Sequence, residues 1–267
     1  TKFLLDADYP LKPLSNGVHT VGEFSFGLPA EDTCAEYLLT LTLGGQDGEM
    51  VNRNTYALYS YPQRPELLAS ALSDGNAAMR IAGEPEDALY VTSSASEAKK
   101  LLAAGSRVLF FPEEVKEKVE GTFCTDFWCY PMFRAISESV KRPLPVGTLG
   151  LNIKAEHASL RGFGSHTFST PQWYDIVAES DAAVLDGTAL HPIVQTIDNF
   201  ERNHKLGMVF EAKCMGGSLL VCTSRLQRIG ESVAAQNLYR SLVDYAASAE
   251  FAPEEELTEE EFGRIFG

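Results

Sequence analysis

Covalent catalysis would require a nucleophile, and the chain offers candidates without the surrounding motif. A Cys or Ser nucleophile of an α/β enzyme sits on a sharp strand-to-helix turn, backed by a histidine and a carboxylate. The signature G-x-S-x-G does not occur, and no cysteine stands between glycines. The sequence therefore predicts no covalent nucleophile. The cysteines are Cys34, Cys124, Cys129, Cys214 and Cys222, and the spacing of Cys124 and Cys129 is not that of a zinc or redox motif.

The last two cysteines flank a predicted hairpin turn at Gly216–Gly217. In that register Cys214 would pair with Leu219 and Cys222 with Glu211, so the two thiols should not meet. We expect all the cysteines to be mainly small buried apolar side chains, and the sequence leaves their redox state open.

Histidines and carboxylates could instead form a metal or acid–base site. His157, His166 and His191 show no metal-ligand spacing, so we predict no metal centre. Paired carboxylates for glycoside hydrolysis need a set separation, which the sequence does not give. An independent hydrolase built on Glu211 or His157 therefore stays open as an alternative. The other acids in or beside predicted strands are Glu156, Asp186 and Asp198.

Aromatic side chains in two predicted loops form the candidate carbohydrate-binding residues. Aromatic rings can stack on sugars, since their faces are apolar and their edges can hydrogen-bond. The alternative is that these rings cap the sheet or form a domain interface. The four residues are Trp128, Tyr130, Trp173 and Tyr174.

Charge and glycine patterns exclude several function classes. The net charge is −15, and such an acidic chain lacks the clustered Lys and Arg that bind nucleic acid. No apolar run is long enough to span a membrane, and no signal-peptide pattern occurs, so no membrane partner is predicted. The Gly-containing turns at 161–166 and 215–218 lack phosphate- and dinucleotide-binding spacing, so no cofactor is predicted.

Two different periodicities divide the chain into two predicted domains. Residues 1–64 contain strand-like stretches at 17–28, 36–43 and 54–62, which indicate a complete or partial β-sandwich. The family resemblance described below implies that this sandwich is immunoglobulin-like. Three strands are too few for a sandwich, and the chain begins at Thr1, so we expect a piece of a longer protein. Residues 65–87 are interpreted as a linker.

Residues 88–267 alternate between strands and helices, which predicts an α/β sandwich with a mostly parallel sheet. The apolar strand at 107–112 is typical of one buried on both faces. A helix over 230–247 has a core-facing stripe. The acidic stretch 250–267 is predicted to form a short helix, since Thr258 and Glu261 make a capping box.

Several motifs of the chain resemble a known enzyme family. The strand NTYALYSYP at 54–62 resembles the last strand of the immunoglobulin-like module in glycoside hydrolase family 2 enzymes. The block at 157–226, which contains HPIVQTID and KLGMVFEAKCMGGSLLVC, is similar to the far C-terminal region of β-galactosidase-like chains. The likeness covers about 17–62 and 88–252, and Ala158 departs from it where Pro usually follows His157. It implies that the α/β region has a class I glutamine amidotransferase-like (flavodoxin-like) fold without the catalytic cysteine.

The resemblance implies a non-catalytic C-terminal accessory portion of a β-glycosidase. The family's catalytic glutamates lie on a (β/α)₈ barrel, one within an Asn-Glu pair, and this chain has neither an Asn-Glu dipeptide nor room for a barrel. The implied partner is the catalytic barrel of the parent chain, and carbohydrate and oligomer contacts are open as further partners. The resemblance favours a periplasmic or secreted parent, while the location of the chain itself is left open.

Overall fold

The computed structural model describes residues 5–11, 15–29, 33–45, 47–62, 79–82, 88–123, 135–136, 138–141, 147–200 and 202–267. The protein is a mixed α/β structure with two separate sheets in these residues. The smaller sheet is an antiparallel ribbon of β1 (Ala35–Gly44) and β2 (Met50–Ser60). Both strands are rich in Leu, Thr, Val and Tyr, residue types that favour extended backbone.

The larger sheet contains nine of the described strands and does not close into a barrel. Its main path runs in the order β3-β4-β5-β11-β10-β8-β6, and β9 joins β10 to β7. The strands are β3 (Met79–Ala82), β4 (Leu89–Thr92), β5 (Arg107–Phe110), β6 (Lys118–Glu120), β7 (Gly150–Ile153), β8 (Asp181–Val184), β9 (Val194–Ile197), β10 (Lys205–Cys214) and β11 (Gly217–Cys222).

Helix starts follow the capping signals of the sequence. The side chains of Ser94, Ser232 and Thr258 each accept a hydrogen bond from the backbone N–H three residues further on, and Thr258 with Glu261 completes the predicted capping box. The helices whose bounds the structure describes are α1 (Ala95–Ala103), α2 (Tyr174–Ala178), α3 (Val233–Ala247) and α4 (Glu259–Phe266), with 3₁₀ turns at Ala158–Leu160, Pro171–Trp173 and Leu226–Ile229.

The orientation of the sheet differs from the prediction of a mostly parallel one. Only β4–β5 and β5–β11 pair in parallel among the described strands, and the other pairings of this sheet are antiparallel. The parallel part is where a helix provides the crossover: α1 connects β4 to β5. By contrast, β10 and β11 are joined by a hairpin and therefore run antiparallel.

Helices cover both faces of the central strands. On one face, Leu109 and Leu220 pack in a cluster with Leu238 and Leu242 of α3. On the other face, side chains of β5, β10 and β11 pack with α1 and α4, among them Val108, Phe210, Leu219, Leu102 and Phe262. This arrangement explains why 107–110 reads as a continuous apolar run, since alternate residues enter different halves of the core.

The C-terminal stretch 250–267 is part of the core in addition to carrying acidic charge. The backbone of Lys213 on β10 donates to the Glu255 carbonyl and accepts from the Leu257 N–H, so 255–257 lies alongside β10. In α4, Phe262, Ile265 and Phe266 are buried. The charged side of α4 faces solvent while its apolar side closes one face of the sheet.

Two local predictions are wrong. Residues 17–28 form no strand in the structure, and Val18, Val21, Phe24 and Phe26 are exposed. The β10–β11 turn is formed by Met215 and Gly216, both with positive φ, not by Gly216–Gly217. Cys214 therefore pairs with Gly217 and Cys222 with Val209, a register that still keeps the thiols apart.

The predicted linker, 65–87, contains structure where it is described. Strand β3 lies within it and pairs antiparallel with β4, so part of this segment belongs to the larger sheet. The remaining residues of the linker lie outside the described residues. The division into two domains stays a prediction.

We predict that Phe262→Ala lowers the free energy of unfolding by about 3–5 kcal/mol. The ring of Phe262 is fully buried and lies 5.8 Å from that of Phe110 between centroids, so truncation leaves a cavity. Urea unfolding of the purified chain measures the change. Exposed Glu260→Ala is the control and should cost less than about 1 kcal/mol; equal losses in both variants would refute the role of α4 in the core.

Candidate functional site

An acidic side chain occupies a core-facing position of β10. Strand residues alternate between faces, and Glu211 shares the face of Val209, which packs in the cluster beneath α3. The side chain of Glu211 is only 19% exposed. A carboxyl group at such a position is costly unless it is hydrogen-bonded, so its partners define the candidate site.

Tyr245 of α3 supplies the first partner of this carboxyl group. Its hydroxyl donates a 2.7 Å hydrogen bond to Oε2 of Glu211. Tyr245 lies on the buried stripe of α3, so the helix and the sheet both fix this bond. One oxygen of the carboxyl group is therefore held in place.

His157 approaches the other oxygen. It begins the 3₁₀ turn Ala158–Leu160, and its Nδ1 accepts a hydrogen bond from the Ser159 backbone N–H. Since Nδ1 is the acceptor, the proton of the neutral ring lies on Nε2. Nε2 is 3.9 Å from Oε1 of Glu211, and the ring meets that of Tyr245 edge-on at 5.2 Å between centroids.

The environment shifts the pKa values of Glu211 and His157 toward favouring their neutral forms. Burial raises the pKa of Glu211, an effect that the hydrogen bond from Tyr245 and the charge of Lys154 partly oppose. Burial, assisted by the positive charge of Lys154, lowers the pKa of His157. Titratable groups perturbed in this way by burial and specific neighbours are typical of functional sites, although structural networks produce them too.

A second polar group borders the pair. Lys154 donates from Nζ to the His191 carbonyl at 2.8 Å, and Glu255 accepts hydrogen bonds from the backbone N–H of His191 at 2.6 Å and from its Nδ1 at 2.5 Å. Burial alone would raise the pKa of Glu255, but these hydrogen bonds outweigh it and lower the pKa. The neighbourhood therefore carries both signs of charge.

The aromatic residues predicted to bind carbohydrate have different positions. Trp128 and Tyr130 lie outside the described residues. Trp173 is fully buried, donates from Nε1 to Ser165 Oγ at 3.1 Å and packs edge-on against Phe163, so its ring has no exposed face for a sugar. The prediction that Trp173 lies in a surface loop is therefore wrong, since the residue belongs to the core. Tyr174 is 60% exposed, and its role in sugar binding stays a prediction.

The remaining acids singled out from the sequence are mostly engaged in local structure. Asp198 is buried and accepts hydrogen bonds from Arg202 and from the backbone N–H of His204. Asp186 interacts with the His204 ring and the Lys205 backbone N–H, and the hydrogen bond to His204 is the main reason that its pKa is lowered. Glu156 is exposed.

Thiols and metal ligands give no further site in the described part of the chain. No group of three or more His, Cys, Asp or Glu there could hold a metal ion. Burial raises the pKa of Cys34 to about 11 and those of Cys214 and Cys222 to about 12, so these thiols are protonated at neutral pH. Cys124 and Cys129 lie outside the described residues.

The base of the β1–β2 ribbon contacts the α/β region. The Tyr61 ring stacks on Phe163 at 5.9 Å between centroids, and its hydroxyl hydrogen-bonds the Gln172 side chain. Glu36 lies 2.6 Å from Nε2 of His166, another histidine considered from the sequence. His166 therefore contacts Glu36 of β1 and anchors the base of the ribbon.

The fold and site define a mixed α/β protein with a part-buried carboxyl–imidazole pair. A domain of unknown function (DUF8487) matches residues 89–267, and the chain therefore belongs to that family. The search of curated proteins gave no match. Within the described residues, no helix combines the length and apolarity required to cross a bilayer.

We predict that Glu211→Gln stabilises the chain more at neutral pH than at acidic pH. A raised pKa means that the folded state favours the protonated carboxyl group. The protonated carboxyl group contributes fully to the free energy of unfolding below the pKa of glutamate in the unfolded chain, about 4.3. This contribution is lost as pH rises through the pKa of Glu211 in the folded chain. Glutamine mimics the protonated form and keeps an oxygen for Tyr245, so it does not suffer this loss.

Urea unfolding of both proteins between about pH 4 and pH 8 measures this difference. The exposed Glu156→Gln variant is the matched control, and its difference from the unmodified chain should change little over the range. A stability difference for Glu211→Gln that is constant with pH would contradict the burial of this carboxyl group.

Proposed function

We propose that the chain is a non-catalytic accessory portion of a β-glycosidase that packs against the catalytic barrel of a longer polypeptide. The resemblance of 17–62 and 88–252 to the C-terminal region of β-galactosidase-like chains supplies the enzyme class. The observation that carries the accessory role is the exposed apolar face of the β1–β2 ribbon. The immunoglobulin-like and amidotransferase-like folds are part of the same proposal.

Alternation along the ribbon collects apolar side chains on one face. Cross-strand pairs such as Tyr37 with Leu58 and Leu39 with Tyr56 lie on this face. Further from the base, Leu41 is 44% and Tyr56 50% exposed. Since a two-stranded ribbon is marginally stable by itself in water, an apolar face of this kind favours packing against another structure.

The α/β region supports the amidotransferase-like part of the proposal. Its central strands β4, β5 and β11 are parallel, and α1 and α3 lie on opposite faces of them. Such a layered arrangement is shared by many folds, so it supports the architecture and carries no activity by itself.

The full reading frame that contains Thr1 provides the test of the accessory role. We expect it to encode a (β/α)₈ barrel with catalytic glutamates. In that longer protein, Leu41→Asp should lower the melting temperature by several degrees, because a charge would be placed in the buried interface. Thr40→Asp is the matched control, since Thr40 lies on the opposite face of the ribbon.

Two outcomes would reject the accessory role: a reading frame without a barrel, or equal effects of Leu41→Asp and Thr40→Asp. The same two substitutions in the chain itself serve as a reference. Both positions are exposed there, so neither substitution should destabilise it strongly.

An independent hydrolase is the second candidate, and the approach of His157 to Glu211 favours it. If it were correct, the purified chain would hydrolyse nitrophenyl glycosides or esters, and Glu211→Gln and His157→Gln would each abolish turnover. Under the accessory proposal we expect all three proteins to give the same background rate. A rate that depends on either residue would replace the accessory proposal.

The carbohydrate-binding alternative now depends on Tyr174 together with Trp128 and Tyr130, because Trp173 is buried. Tyr174 lies edge-on to Phe123 at 5.4 Å between centroids, which leaves a large part of its surface exposed. The alternative stays a prediction that titration with galactosides addresses.

A further inference from the structure

At the candidate site, His157 and Glu211 face each other at a distance too long for a direct hydrogen bond between their side chains. Nε2 of His157 carries a proton, because Nδ1 accepts from Ser159. Its distance of 3.9 Å from Oε1 of Glu211 is too long for a direct hydrogen bond. An oxygen atom placed beside the line between them could lie at about 2.8–2.9 Å from both.

Both groups are held in position before anything binds. Ser159 fixes the imidazole through Nδ1, and Tyr245 fixes the carboxyl group through Oε2. The two side chains are also accessible, since His157 is 24% and Glu211 19% exposed. A ligand would therefore lose little binding energy to rearranging the site.

The chemistry of the pair selects the kind of group that fits. An anion could accept from Nε2 of His157 but would be repelled by the Glu211 carboxylate. An ammonium group could donate to Glu211 but would face the imidazole N–H. A hydroxyl group satisfies both, since it accepts one hydrogen bond and donates another.

The surrounding charges do not override this preference. Lys154 and Arg107 contribute positive charge, and Glu250 and Glu255 contribute negative charge to the electrostatics of Glu211 and Tyr245. These groups come from different elements around the site and carry both signs of charge. A neutral ligand is favoured over an ion of either sign.

We propose that His157 and Glu211 form a binding site for a neutral polyhydroxyl ligand, a sugar or polyol, one of whose hydroxyl groups bridges Nε2 and Oε1. The bridging hydroxyl accepts from Nε2 and donates to Oε1, while Tyr245 and Ser159 hold the two side chains. This site is distinct from the aromatic residues considered for sugar stacking. It does not depend on the accessory role or on catalysis.

The test follows the His157 imidazole nitrogens by NMR while the chain is titrated with galactose or glycerol. We expect a saturable shift of Nε2 with a smaller change at Nδ1. Glu211→Leu, which removes the acceptor but suits a core-facing position, should weaken binding about tenfold or more. In Glu211→Gln the single oxygen stays with Tyr245, so an NH₂ donor replaces the acceptor Oε1 and binding should also weaken.

Asp244→Asn, a change at an exposed residue of α3, is the matched control and should bind as the unmodified chain does. The proposal is overturned if the Nε2 resonance does not respond at high millimolar galactose and glycerol, which leaves water as the only bridge. It is also overturned if the Nε2 resonance of the Glu211→Leu variant shifts as that of the unmodified chain does. Tighter binding of acetate or ammonium than of galactose and glycerol would overturn it as well. Failure here leaves the accessory role untouched, because that role is tested in the longer protein.

Discussion

Burial of the central strands on both faces is the constraint on which the structure depends. Strands β5, β10 and β11 send alternate side chains into two clusters, one covered by α3 and one by α1 and α4. Each strand must therefore be apolar at nearly every position, and any polar residue there needs a partner. Glu211 is such a residue, and its partner is the hydroxyl of Tyr245 on the covering helix, which donates a hydrogen bond to it.

Local signals were sufficient to predict most of the regular elements. Thr258, for example, marks the start of α4 because its side chain satisfies a free N–H group, and this depends only on neighbouring residues. Sheet orientation could not be predicted in the same way. It depends on where each connection returns the chain, and β9, for example, follows the irregular connection 185–193. The strand predicted at 17–28 failed because alternation cannot reveal whether a paired edge exists.

The candidate site was only partly accessible from the sequence. Glu211 and His157 were considered as alternatives to each other, because nothing in the sequence places them together. One signal was present: Glu211 interrupts the apolar alternation of a strand otherwise facing the core. Trp173 gave the opposite error, because a short 3₁₀ turn directs its ring inward, and composition alone predicts a loop.

The position of 255–266 has a consequence for how the protein is made. This stretch lies alongside β10 and supplies Phe262 and Phe266 to one half of the core. During synthesis the growing chain presents that half of the sheet uncovered until these residues have left the ribosome. Phe110 and Phe210 are therefore accessible to chaperones until that point of synthesis.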